Sequence, residues 1–283
     1  MQAVRPIKGM HDLKAPAAVF APFRLLGAHG ALVAELTRRE VDGRYRGATL
    51  GLLWSLVSPF LLLAIYAIAF GTVMGGRWPE ARASDTPFSI VLFAGMIPYF
   101  VLSECMVRSP ELVVGNPAYV KRVVFPLELL PWPMLFSALF HVAMNVLVFL
   151  AMRLAMEGKF AWTVVYLPCV IAPIAILGLG VSWFLASVSV YFRDVRQVVG
   201  LASMALLFLS SVMIPVASVP ERYRAVFMLN PVSFIADQSR AILIWGMQPD
   251  WLGLVAYTAA ALVFMYSGYA WFMATKRGFA DVL

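Results

Sequence analysis

Few side chains in this sequence have the type and spacing to do acid–base or nucleophilic chemistry. Glu104 sits in the apolar run VLSECMV, near its end. An ionisable group at that depth is costly, so it must face protein or water, or else reach the interface. His141 and Asn145 lie four residues apart in another apolar run, which puts both on one face of a helix. They can line a polar path, or they can hydrogen-bond to a neighbouring helix. Ser137 precedes His141 by one turn, but a hydrolase needs its nucleophile and base on neighbouring elements. No serine stands in a GxSxG context, and there is no HExxH, no CxxC and no GxxxxGK[ST] nucleotide loop. His11, His29 and His141 are scattered, and Cys105 and Cys169 lack metal-ligand spacing. Acidic residues are too sparse in the apolar runs for a proton relay. The chain is therefore expected not to be an enzyme, to hold no cofactor or metal, and to need an energised partner if it moves anything.

The elements that carry these residues are membrane spans. The chain has 283 residues, 62% hydrophobic and 13% charged, whereas a soluble domain carries about 25% charged residues. Apolar runs of about 20 residues recur without strand-like alternation, so the expected class is all-α integral membrane. The expected spans are about 49–74, 87–107, 131–156, 162–192, 198–219 and 251–275, six in all, with both termini inside. On that topology 15 of the 22 Lys and Arg lie inside and 7 outside, the bias of the positive-inside rule. The net charge of +7 thus reflects topology and gives no reason to expect nucleic acid as a partner. The first 20 residues have no long apolar core, which argues against a cleaved signal peptide.

Four segments do not span. Residues 1–21 read as a cytoplasmic tail. From 22 to 46, Leu25, Ala28, Leu32 and Leu36 share one helical face while Arg24, Glu35, Arg38, Arg39 and Glu40 lie elsewhere around it. Such a helix lies in the cytoplasmic interface with its cations near anionic headgroups, or packs on the loops. The connection 108–130 contains GNPAYVKRVVFPLELLP, which joins turn formers, the adjacent cations Lys121 and Arg122, and a proline-bounded apolar run. It is expected to be a cytoplasmic turn and short helix that receives force from a partner. Lys121 and Arg122 can meet acidic groups on that partner or phosphate headgroups, or serve as topology anchors. Residues 220–250 are broken by Asn230-Pro231, Asp237 and Arg240. Because Lys276 and Arg277 after the last span belong inside, this stretch must dip in from the outer side and return, or lie on that surface. Asp237 and Arg240, three residues apart, can pair on one helical face.

The order of REVDGRYRGATLGLLWSLVSPFLLLAIYAIAFG, GNPAYVKRVVFPLELLP, YFRDVRQVVG, MIPVASVPERYRAVFMLNPVSFI and KRGFADVL resembles the ABC-2 type permeases of bacterial polysaccharide exporters, which move O-antigen, capsule or teichoic-acid chains. The resemblance covers nearly the whole chain from about residue 35. It implies a homodimer in the bacterial inner membrane, with two copies of a separate nucleotide-binding ATPase subunit that holds the ATP and Mg. It also implies a lipid-linked glycan as substrate, moved outward. It makes Asn116, Pro117, Tyr119, Lys121, Arg122 and Phe125 part of an ATPase-coupling helix. It places Arg38, Arg39, Arg44 and Arg46 where a lipid pyrophosphate enters. It turns 220–248 into a pair of short outer helices closing the pore, with Asn230, Pro231, Asp237 and Arg240 in that gate. Sugar rings stack on aromatic faces, so an uncharged glycan path has candidates in Trp54, Phe60, Tyr66, Phe70, Tyr99 and Phe100. A permease for a small hydrophobic drug or lipid is the alternative within the family, and an autonomous membrane enzyme or carrier the alternative outside it.

Overall fold

Prolines and glycines set where the helices begin and end. A computed structural model of the chain describes residues 21–71, 86–120, 125–158 and 160–283, and among these there are helices and no strands. Two short helices, α1 (Ala21–Ala28) and α2 (Gly30–Tyr45), replace the single interface helix expected over 22–46. The break at His29, in the sequence GAHG, shifts the register of everything after it. The face of α2 turned inward carries Val33 and Val41, while Ala28 and Leu32 are exposed. The expected stripe therefore holds only at Leu25 and, half-buried, at Leu36.

A 3-10 turn at Gly51–Leu53 leads into α3 (Trp54–Gly71). Then come α4 (Phe88–Arg108), the short α5 (Glu111–Val114) and α6 (Pro117–Val120), and α7 (Pro131–Glu157). Pro131 and Pro133 start α7, where an unpaired N–H would be orphaned anyway. Gly158, at φ 63°, ends it in the left-handed conformation that glycine adopts without strain. Helix α8 (Leu167–Tyr191) follows a 3-10 turn at Trp162–Tyr166. Next are α9 (Val195–Phe208), α10 (Glu221–Leu229), α11 (Pro231–Leu243), α12 (Trp251–Thr275) and α13 (Phe279–Val282).

Among the described residues, five helical stretches are long and apolar enough to cross a membrane: those at Gly51–Ala69, Phe88–Arg108, Leu127–Glu157, Trp162–Tyr191 and Trp251–Val282. The fifth expected span, 198–219, differs. Its helix is α9, 14 residues long, or about 21 Å, and it stops at Phe208. The reason is local competition for its last carbonyls. Ser210 donates its hydroxyl to the Leu207 carbonyl (2.7 Å), and the Asn230 amide donates to the Leu206 and Leu209 carbonyls (2.8 and 2.9 Å). The rest of that segment continues as turns and a 3-10 turn at Val216–Ser218.

Helix α4 is the axis of the molecule. Its apolar window is 78% buried, against 17% for that of α3, and it packs on α3, α7, α8, α9 and α11. The closest crossing joins α8 and α12 at Gly180 and Gly268. A Cβ on Gly268 would collide with the Gly180 carbonyl, and one on Gly180 would come within 2.6 Å of the Met265 Cα. Small residues permit this approach, as is usual between helices in lipid. The expected tail 1–20, the outer loop 75–85, Lys159, and the coupling residues Lys121 and Arg122 lie outside the described residues, as does the Phe70 side chain.

Candidate functional site

Charge is gathered where α2 meets α4 and α7. The end of α2 brings Arg44 to Glu104: Nη2 lies 2.9 Å from Oε1, and Nη1 donates to Oε2 at 3.4 Å. Arg108, one turn on in α4, reaches the same carboxylate with Nη1 at 3.0 Å and pairs through Nη2 with Glu40 of α2. Arg44 Nη1 also lies 3.0 Å from His141 Nδ1, which accepts when the ring proton is on Nε2. Glu104 is thus protein-facing, its side chain 13% exposed, and held between two guanidinium groups. Both uses open to His141 are seen: it contacts Arg44 of a neighbouring helix and, with Asn145, borders a cavity. Tyr45 packs near the His141 ring (5.8 Å between centroids), and burial pushes its phenol above the usual range.

This cluster forms the wall of a cavity of about 790 Å³. Trp54, Ser55 and Ser58 of α3, Phe100 and Ser103 of α4, and Asn145 of α7 complete much of its lining. Charge lies at one part of the wall; the rest mixes aromatic rings and hydroxyls with aliphatic residues such as Leu62, Val107 and Val142. Among the aromatic candidates, Trp54 and Phe100 are lining residues. Tyr99 is not: it is buried against α9, its hydroxyl 3.3 Å from the Ser203 carbonyl and 3.1 Å from Ser203 Oγ. Phe60 is 47% exposed on the outer side of α3, and Tyr66 is half-buried against the core.

A second cavity, about 410 Å³, lies between α2 and the α4–α7 connection. Arg39, Glu40, Arg44, Arg108, Asn116 and Tyr119 are among its lining residues. Two of the four expected entry cations, Arg39 and Arg44, therefore meet two of the expected coupling residues, Asn116 and Tyr119, here, and Arg44 and Arg108 border both cavities. Arg38 is turned away, 3.7 Å from Asp42 on the exposed face, and Arg46 is exposed.

The connection itself is braced. Asn116 donates its amide to the Leu112 carbonyl (3.1 Å), and Pro117 opens α6. Tyr119 stacks on Phe125, with 4.4 Å between ring centroids. Ser189 donates to the Pro110 carbonyl (2.9 Å), Arg196 pairs with Glu111, and Trp183 Nε1 donates to the Glu128 carbonyl (3.0 Å). Glu128 also pairs with Lys276, so the loop is tied to both the α8–α9 turn and the end of α12.

In the 220–250 stretch, Asn230 caps α11 by accepting from the Val232 N–H (2.9 Å), and Pro231 takes the first helical position. Asp237 and Arg240 pair as their spacing predicts, at 3.0 Å. Arg240 is nevertheless fully buried, donating from Nε to the Val91 carbonyl (3.0 Å) and from Nη2 to the Val212 carbonyl (2.8 Å). Sequence reasoning missed Arg153, Thr163, Ser211, Ser233 and Ser239. Arg153 donates to the Leu243 and Ile244 carbonyls and Thr163 to that of Ile242, which closes the C-terminus of α11. Ser211 donates twice to Ser233, from its N–H to the Ser233 hydroxyl oxygen (3.0 Å) and from its hydroxyl to the Ser233 carbonyl (2.9 Å). Arg153 is a cation in an apolar run, which is the one signal that could have found it.

The architecture is that of a multi-pass, all-helical membrane protein with a braced α4–α7 connection and a helical hairpin, α10–α11, packed on its core. The chain belongs to the ABC-2 type transporter family, whose model matches residues 31–244. It is 25% identical over 260 residues to the O-antigen export system permease protein RfbA of Myxococcus xanthus, covering 91% of this chain and 97% of that protein. It is 23% identical over 255 residues to the protein of the same name from Klebsiella pneumoniae (89% and 95% covered). It is also 26% identical over 239 residues to the polysialic acid transport protein KpsM of Escherichia coli (84% and 91%).

Proposed function

We propose that this chain is the permease of an ATP-driven exporter that carries a lipid-linked polysaccharide outward across the bacterial inner membrane. It works as a homodimer with two copies of an ATPase subunit, and both termini are cytoplasmic. The observation that carries this reading is the meeting of α2 cations and the α4–α7 connection around Arg44 and Arg108, beside a cavity with aromatic and hydroxyl walls. An anionic lipid headgroup is attracted to Arg39 and Arg44, while the sugars of an uncharged chain meet Trp54, Phe100 and the serines. The names of the relatives support polysaccharide as the cargo.

The coupling role falls on Asn116, Pro117, Tyr119 and Phe125, with Lys121 and Arg122 between them in sequence. Bracing at Pro110, Glu111 and Glu128 lets a push on this connection reach α4, α7, α8 and α12 together. The test is purification from the native host in mild detergent, with mass spectrometry of what co-elutes. A stoichiometric Walker-type ATPase is the expected result. A chain that elutes alone, folded and at native expression, would overturn the reading.

A further inference from the structure

We propose that the outer hairpin, α10–α11, is no independent lid: it is fixed to α4 and α7 and travels with them during transport. Those are the two helices that flank the 108–130 connection. Pro98 lies inside α4 and has no N–H, so the Ala94 carbonyl one turn earlier loses its helical partner. Ser239 of α11 fills that vacancy, donating its hydroxyl to the Ala94 carbonyl at 3.0 Å. One residue on, the Arg240 guanidinium bridges the Val91 carbonyl of α4 and the Val212 carbonyl beyond α9. It lies over Gly95, where any Cβ would collide with it. The C-terminus of α11, about one turn further on, is closed by Arg153 of α7.

Separating α11 from α4 would therefore cost the fully buried Arg240 guanidinium its bond to the Val91 carbonyl and leave the Ala94 carbonyl without a donor. At membrane depth nothing replaces those partners, because lipid offers neither donors nor acceptors. Helix α3 makes no comparable polar clamp to the hairpin among the described hydrogen bonds, and little of it is buried. The outer opening is thus expected between the α4–α7–hairpin unit and α3, or against the second copy. Ser239, Arg240 and Arg153 act as positioning residues. The inference rests on the exporter reading for its purpose, and on the clamp geometry alone for its test.

Pulsed electron paramagnetic resonance on the complex with its ATPase tests it, using chains whose Cys105 and Cys169 are replaced by serine and which are diluted with unlabelled copies. Spin labels go at Val107 and Met247, exposed sites at the inner end of α4 and just after α11, and in a second sample at Ile68 of α3 and Met247. The Val107–Met247 distance is expected to be the same without nucleotide and in the vanadate-trapped state, while the Ile68–Met247 distance changes. A changed Val107–Met247 distance overturns the proposal. So does constancy of both distances in a complex that hydrolyses ATP. On the chain alone, Ser239→Ala should broaden the resting Val107–Met247 distribution, and an unchanged width counts against the clamp whatever the partner proves to be. Failure of the exporter reading shows separately, as undiminished surface glycan without this chain.

Discussion

Glutamine in place of Glu104 removes one negative charge from between two cations while keeping the shape. In the native chain Arg44 and Arg108 each meet this carboxylate at about 3 Å, at 2.9 and 3.0 Å. A hydrogen bond to a charged group contributes roughly 1.5–3 kcal/mol. Arg44 is 40% exposed, so water compensates part of its loss, and the lower end of that range applies. Arg108 keeps Glu40 as a partner. The net cost to the docking of α2 is then about 1.5 kcal/mol, or roughly tenfold in the docked-to-undocked ratio. The assay is limited trypsin digestion of inverted membrane vesicles, reading cleavage after Arg38 and Arg39. Cleavage of a helix that must first open tracks the open population, so E104Q should be cut about tenfold faster, in line with that ratio. Arg44→Gln should act similarly, and the double variant should add little to either. Equal cleavage of E104Q and the native chain, or full additivity of the two substitutions, would refute the argument that this carboxylate holds α2 in place.

Gly268→Ala puts a methyl group against the Gly180 carbonyl and should lower stability by about 1–3 kcal/mol, seen as earlier thermal loss of the monodisperse peak in detergent. Charge reversal at Lys121 and Arg122 together should leave insertion intact but uncouple ATP hydrolysis from transport; normal export by that variant would remove the coupling role from this segment. Trp54→Ala and Phe100→Ala should each lower export several-fold at normal expression, whereas Phe60→Ala, outside the cavity, should not.

The spans were legible because a bilayer demands long apolar runs, and the helix limits at Pro131, Gly158 and Trp251 because proline, glycine and a capping Asp250 act locally. The break in 220–250 was legible in its polar interruptions, and its pair of short helices through the family resemblance; Asn230 caps and Pro231 starts the second of them. What the sequence did not reveal depends on partners far along the chain. Glu104 finds Arg44 across 60 residues, and Arg153 finds the end of α11 across about 90. The early end of α9 needed Asn230 to take its carbonyls. The direction of Tyr99, toward Ser203 and away from the cavity, depends on how α4 and α9 pack, which periodicity within α4 does not encode.

The most direct measurement compares surface polysaccharide and membrane-bound lipid-linked glycan in the native host with and without this chain, with expression restored from a plasmid as control. The account predicts that the surface glycan is lost, that its lipid-linked precursor accumulates at the inner membrane, and that the plasmid reverses both. A full complement of surface glycan in cells lacking the chain would contradict it and turn attention to a small lipid or drug as cargo.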